Sequence, residues 1–144
     1  MPVPAVPSPE VALSITLAVC GGRELDDWAL VREAMDSIHD SHTIDKLISG
    51  GCRGADKLAE DWAHLNLVDT DVYEANFAQH GKSAGPRRNQ EMLDLGKPDM
   101  LLAFPGGRGT ADMVRRSIKS GIPVAIVDGA SATIVFLEAT KRDA

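Results

Sequence analysis

Met100-Leu-Leu-Ala-Phe-Pro-Gly-Gly-Arg-Gly-Thr110 is the stretch from which the fold can be read. Its first half, Met100 to Phe104, is a short apolar run of strand character. A glycine-dense turn follows, and Ala111 to Ser120 then reads as a helix stopped by Gly121. Strand, glycine-rich turn and helix together present backbone N–H groups and a positive helix end to an anion. Glycine allows a phosphate to approach the backbone with no Cβ in the way. A tight strand-to-helix turn without a ligand uses the same residues, so this stretch alone leaves both readings open.

The same unit recurs along the chain. Val11 to Cys20 reads as a first strand and runs into Gly21-Gly22-Arg23. Asp26 and Asp27 then supply an N-cap and a first-turn acid. Trp28, Val31, Met35 and Ile38 carry helical spacing, with His39 to His42 as a polar connection. Ile44 to Ser49 is a second strand, followed by Gly50-Gly-Cys-Arg-Gly54 and a helix with Asp56 in its first turn. Asp71 to Glu74 is a third strand, and Asn76 to Gly85 a loop. Pro86 opens a helix that runs to Leu95 and stops at Gly96. Ile122 to Val127 is a fifth strand, and Ser131 to Glu138 an edge strand or a short helix. Short apolar strands alternating with helices imply a parallel sheet covered by helices on both faces, the doubly wound α/β class.

Composition fits that class and narrows the function. The 144 residues suit one domain, here 12–144, preceded by a flexible proline-rich arm at 1–11. A net charge of −6 argues against a protein that coats nucleic acid. No apolar run reaches membrane-helix length, so no membrane partner is expected. The start lacks the pattern of a secretory signal, and the two cysteines, Cys20 and Cys52, lack metal-ligand spacing; a cytoplasmic protein with reduced thiols and no metal is expected. The four histidines form no metal pattern, and no resident cofactor is implied.

In a parallel sheet all strand C-termini lie on one edge, and ligands bind there. The three glycine turns therefore converge: Gly21 and Gly22, then Gly50, Gly51 and Gly54, then Pro105, Gly106, Gly107, Gly109 and Thr110. None is a P-loop, because no Gly-Lys-Ser/Thr closes it. Each carries an arginine: Arg23, Arg53 and Arg108. Arg87 and Arg88, with Asn89, open the helix after Pro86, where cations oppose the helix dipole unless an anion compensates. Asp56, Glu91 and Asp112 fall in first turns of helices, where an acid either caps the helix or serves as a catalytic carboxylate.

Phe104-Pro-Gly-Gly-Arg-Gly-Thr110 resembles the PGGxGT signature of the LOG and DprA-like (SLOG) superfamily of Rossmann-like nucleotide-binding proteins. With Ser49 to Asp56 and Gly85-Pro-Arg-Arg-Asn-Gln-Glu-Met92, the chain is more similar to one branch, the YspA-related proteins once known as DUF2493. The similarity runs from Ile15 to Val127. It implies a nucleotide or nucleotide-derived ligand, such as an NAD- or ADP-ribose-related molecule, and a homodimer or higher homo-oligomer. LOG proteins are phosphoribohydrolases that release a base from a nucleoside 5′-monophosphate. Their signature extends to PGGxGTxxE, with a catalytic Glu assisted by an upstream arginine. Arg87 or Arg88 matches the arginine, but the Glu position is Met113, which cannot act as an acid. Three readings follow. The first is a nucleotide-binding sensor or sequestering module. The second is a nucleotide hydrolase with Arg88 and a non-standard acid among Asp56, Glu91 and Asp112. The third, a DprA-like DNA-binding module, is opposed by the acidic balance and the few aromatics.

Overall fold

The computed structural model describes residues 14–131 and 133–137. Its elements in chain order are β1 (Ile15–Cys20), α1 (Trp28–His42), β2 (Ile44–Ser49), α2 (Ala55–Leu65), β3 (Asp69–Val72), α3 (Phe77–His80), a 3-10 turn (Gly81–Ser83), α4 (Ala84–Gly96), β4 (Met100–Ala103), α5 (Arg108–Lys119), β5 (Val124–Val127) and β6 (Ile134–Leu137). The sheet order is β3-β2-β1-β4-β5-β6. β1 to β5 are parallel, and β6 is antiparallel to β5. The chain winds outward in one direction from β1 to β3, then crosses back to β4. That reversal puts the crevice of the sheet between the C-terminal ends of β1 and β4.

The continuous apolar strands are explained by two cores. In β1, Leu17 and Val19 join the core beneath α1 and α2, while Ala18 and Cys20 join the one beneath α4 and α5. β4 alternates likewise, Met100 and Leu102 on one side, Leu101 and Ala103 on the other. Trp62 of α2 is fully buried, and its indole N–H donates to the Asp36 carboxylate at 2.9 Å. That bond removes the cost of burying the one polar atom of the ring.

Several boundaries differ from the sequence reading. Asp27 alone caps α1, accepting from the Leu30 N–H at 3.1 Å; Asp26 lies outside the helix. α1 continues through His39 and His42, where a polar connection was expected. His39 is held there because its ring accepts from the Ile44 N–H and meets the Trp62 ring edge-on at 5.3 Å. β3 starts two residues early, since pairing with β2 (Lys46 with Asp69, Ser49 with Val72) sets its limits. α3 and the 3-10 turn occupy the expected loop, with Asn76 capping α3 through the Gln79 N–H. α4 begins at Ala84, so Pro86 is its third residue, still within the turn whose N–H groups need no partner. Gly96, read as the stop, is the last residue of α4, and Lys97 takes the left-handed cap; a Cβ on Gly96 would lie 2.5 Å from Ile48 Cδ1. α5 begins at Arg108, three residues early. β5 is shorter than read, β1 starts at Ile15 and β6, an edge strand, at Ile134; the parts of the β1 and β6 readings at 11–13 and 138 lie outside the described residues. The proline-rich arm, 1–11, lies outside the described residues.

Candidate functional site

Backbone hydrogen bonds lash the three glycine turns together. The Gly22 N–H donates to the Pro105 carbonyl at 2.8 Å, and the Gly22 carbonyl accepts from the Ala55 N–H at 3.1 Å. The turn after β1 is thus bonded on one side to the turn after β4 and on the other to the start of α2. Such contact between main chains leaves no room for side chains. A Cβ on Gly21 would sit 2.5 Å from Ala55 Cβ and 2.8 Å from Phe104 Cβ. One on Gly106 would collide with Thr110 Oγ1 and lie 2.8 Å from the Gly22 nitrogen. Gly54, at φ 83, would drive a Cβ into the Gly22 carbonyl. Gly107 and Gly109 are different: a Cβ at either meets nothing within 4 Å.

Where the lashed turns end, a cleft of about 320 Å³ opens between the ends of β1, β2 and β4. Gly107, Arg108, Gly109 and Thr110 form one wall. Gly107 is the N-cap of α5, so the N–H groups of the next three residues start the helix without intrahelical acceptors. This is the wall that suits an anion. Gly21, Gly22 and Gly50 line the rest with Cys52, Asp56, Arg88 and Asn89.

Arg88 reaches across the cleft from the first turns of α4. Its Nη1 donates to the Gly50 carbonyl at 2.6 Å and lies 3.7 Å from Cys52 Sγ, and its Nε donates to Asn89 Oδ1 at 3.1 Å. It has no carboxylate ion-pair partner among the described residues. The guanidinium is therefore fixed by hydrogen bonds to uncharged groups, close enough to Asp56 for its charge to act on that carboxyl. Asn89, buried, donates to the Asp112 carboxylate at 2.9 Å and to the Gly109 carbonyl at 3.3 Å. It joins Arg88 to the first turn of α5.

The three acids separate. Asp56 lines the cleft, buried, accepting from the Cys52 N–H at 3.1 Å. Burial pushes its pKa up to about 6, against the lowering effect of the Cys52 N–H and the Arg88 charge. Asp112 is outside the cleft lining and fully engaged, accepting from Arg115, Arg116 and Asn89. Burial raises its carboxyl, but Asn89 and Arg116 outweigh it and hold the group below the usual range. It braces Asn89 rather than facing a ligand. Glu91 is exposed one turn along α4 from Arg88, outside the cleft lining, in a shallow groove it shares with Glu74 and His80. Met113 is fully buried in the core beneath α4 and α5.

The remaining candidates divide by role. Gly51, Gly54, Pro105 and Gly106 shape the turns and do not line the cleft. Arg53 pairs with Glu24 at 2.6 Å, and Arg87 donates to Ser83 Oγ at 3.0 Å, both away from it. Arg23 does line it. Cys52 is half-buried in the wall; its place directly after Gly50-Gly51 was the available signal. Glu60, not singled out from sequence, accepts from Ser49 Oγ at 2.5 Å, and Ser49 Oγ in turn accepts from the Gly51 N–H, which fixes the turn after β2.

Comparison with known proteins agrees with the fold. The model of the YspA, cpYpsA-related SLOG family matches residues 15–80. Gene 61 protein of Mycobacterium phage D29 is 39% identical over 115 residues, covering 74% of this chain and 90% of that protein. Among solved structures, DNA processing protein A (DprA) of Streptococcus pneumoniae superposes with a TM-score of 0.66 at 16% identity over 82% of this chain. The chain spans about half, 52%, of that DprA chain, and the likeness is one of fold. The chain belongs to the YspA, cpYpsA-related SLOG family.

Proposed function

We propose that this protein binds a nucleotide or nucleotide-derived ligand, with its phosphate in the cleft between β1 and β4, as a sensor or sequestering module. The observation that carries this reading is the Arg88 guanidinium, clamped by the Gly50 carbonyl and Asn89 and without a carboxylate partner among the described residues. It shares the cleft with the free first-turn N–H groups of α5. A fixed cation and a helix N-terminus together make an anion site. The ligand reaches both without displacing any internal ion pair.

A second reading, hydrolysis of an N-glycosidic bond, has one observation in its favour. Asp56 stands in the same cleft with a pKa raised to about 6, suited to proton transfer near neutrality. Met113 and Asp112 give it no help: one is core, the other is spent on three hydrogen bonds.

Native purification, denaturation and mass spectrometry of what is released, beside incubation with a nucleotide panel, tests both. A co-purified intact nucleotide with the panel unconsumed supports binding. A freed base or ribose phosphate that disappears in Asp56→Asn establishes the hydrolase. Neither a bound nucleotide nor affinity for any of the panel overturns both. In keeping with the family resemblance, the protein is proposed to work as a homodimer or higher homo-oligomer in the cytoplasm, which light scattering and cell fractionation check.

A further inference from the structure

The cleft does not end at Arg88. A second compartment of about 390 Å³ adjoins it, sharing Arg23, Gly50, Cys52 and Arg88 with the first. Its outer wall comes from the segment after β3, which supplies Glu74 and Phe77. These two residues have no structural employment that accounts for them. Phe77 is half exposed at 49% and belongs to neither core. Glu74 is exposed and has no ion-pair partner among the described residues, although Arg23, Arg53 and Arg88 line the same compartment. Arg53 is committed to Glu24. Arg23 instead lies over the Phe77 ring, its Cζ 5.7 Å from the centroid. The phenyl group thereby holds the guanidinium in place as a flat platform.

The approach to this compartment is kept open at Gly51. It sits at φ 75, and a Cβ there would lie 2.8 Å from Val72 Cγ1 and 3.1 Å from Glu74 Cγ. The turn after β2 thus brings its backbone against the Glu74 stem. The carboxylate offers only acceptors, and it pairs well with two adjacent hydroxyl donors. A planar aromatic heterocycle layers well on an arginine backed by a ring.

We propose that the second compartment is a nucleoside subsite, so that the protein recognises a ribonucleotide at both ends. The phosphate meets Arg88 and the first turn of α5. The ribose 2′,3′-diol donates to Glu74, and the base layers on the Arg23–Phe77 stack. This rests on the phosphate placement proposed above and adds the recognition of the sugar and base.

Titration of the full chain with adenosine 5′-monophosphate, its 2′-deoxy counterpart and ribose 5-phosphate separates the two. Cys52 gives the readout, because it lies in both compartments while the other cysteine, Cys20, is buried. Its rate of reaction with a maleimide reports occupancy. The ribonucleotide is expected to protect it best, and ribose 5-phosphate roughly tenfold less well, the scale of one lost stacking contact. Phe77→Ala should remove that preference for the nucleotide while leaving protection by ribose 5-phosphate unchanged. Glu74→Gln should abolish discrimination between ribo and 2′-deoxy forms. Both positions are exposed, so a melting temperature near that of the parent is expected. Equal protection by nucleotide and ribose 5-phosphate in the parent overturns the subsite and leaves the phosphate site standing. So does a Phe77→Ala variant that weakens all three probes alike. Absence of protection by any probe overturns the phosphate placement itself, and the subsite with it.

Discussion

Arg88 is the side chain on which anion recognition turns. Its two hydrogen bonds to Gly50 and Asn89 use the fork of the guanidinium, not merely its charge. Arg88→Ala is expected to weaken adenosine 5′-monophosphate by about 1.5–3 kcal/mol, the size of a charged hydrogen bond, by isothermal titration. Arg88→Lys should recover little, since an ammonium cannot reproduce both contacts. Asp56 makes a different prediction. Burial lifts its pKa from 3.8 to about 6, so the folded state holds the proton longer than the unfolded chain does. Its contribution therefore favours folding at low pH and is lost as pH rises from about 4 to about 6. Above that range the buried charge costs on the order of 3 kcal/mol. Asp56→Asn should melt higher than the parent at pH 8, and the gap should close near pH 4 in calorimetric scans. A constant gap would show that the carboxyl titrates normally. Of these two residues, the sequence marked both as candidates, but only packing could tell Asp56 from Asp112 and Glu91. Read from sequence all three stand in first turns, but α4 and α5 begin earlier than read, which leaves Asp56 as the second residue of its helix and makes Asp112 the fifth and Glu91 the eighth of theirs.

The turns after the strands sort their glycines into two kinds. Gly21, Gly54 and Gly106 are packed against neighbouring main chain or side chains, whereas Gly107 and Gly109 border open space. Gly107→Val is expected to keep the melting temperature within about 2 °C, as for a substitution without steric conflict, while abolishing ligand binding. Gly106→Val should lower the melting temperature by more than about 5 °C, because Thr110 and the Gly22 nitrogen occupy the space. Similar losses of stability in both variants would show that the whole turn is a structural hinge. The sequence identified these turns from glycine density after apolar runs. It could not sort them, because the distinction lies in which turn meets which. Local signals failed elsewhere for related reasons. β3 is hydrophilic, its four residues Asp-Thr-Asp-Val, and is defined by its ladder with β2 rather than by an apolar pattern. Gly96 was read as a helix stop, yet the left-handed cap is Lys97, and a Cβ on Gly96 would lie against Ile48.

At the scale of the whole molecule, the doubly wound class was legible because burial on both sheet faces leaves uninterrupted apolar strands, whereas the strand order was not. The antiparallel return of β6 was not either, since a four-residue edge strand carries no signature of its direction. The fold likeness to DprA does not carry an electrostatic surface with it. At a net charge of −6, no retardation of single-stranded DNA is expected in about 150 mM salt, where screening leaves only short-range contacts. Retention of DNA in a mobility-shift assay would instead favour the nucleic-acid reading. The reversal at β6 has a practical corollary. Leu137 pairs with Val124 at the start of β5, and Ile15 begins β1 on that same margin of the sheet. The described chain is thus entered and left at the margin opposite the cleft. A surface anchor or fluorescent reporter joined directly before Ile15 or after Leu137 would sit on the back of the sheet, with the mouth of the cleft still facing outward.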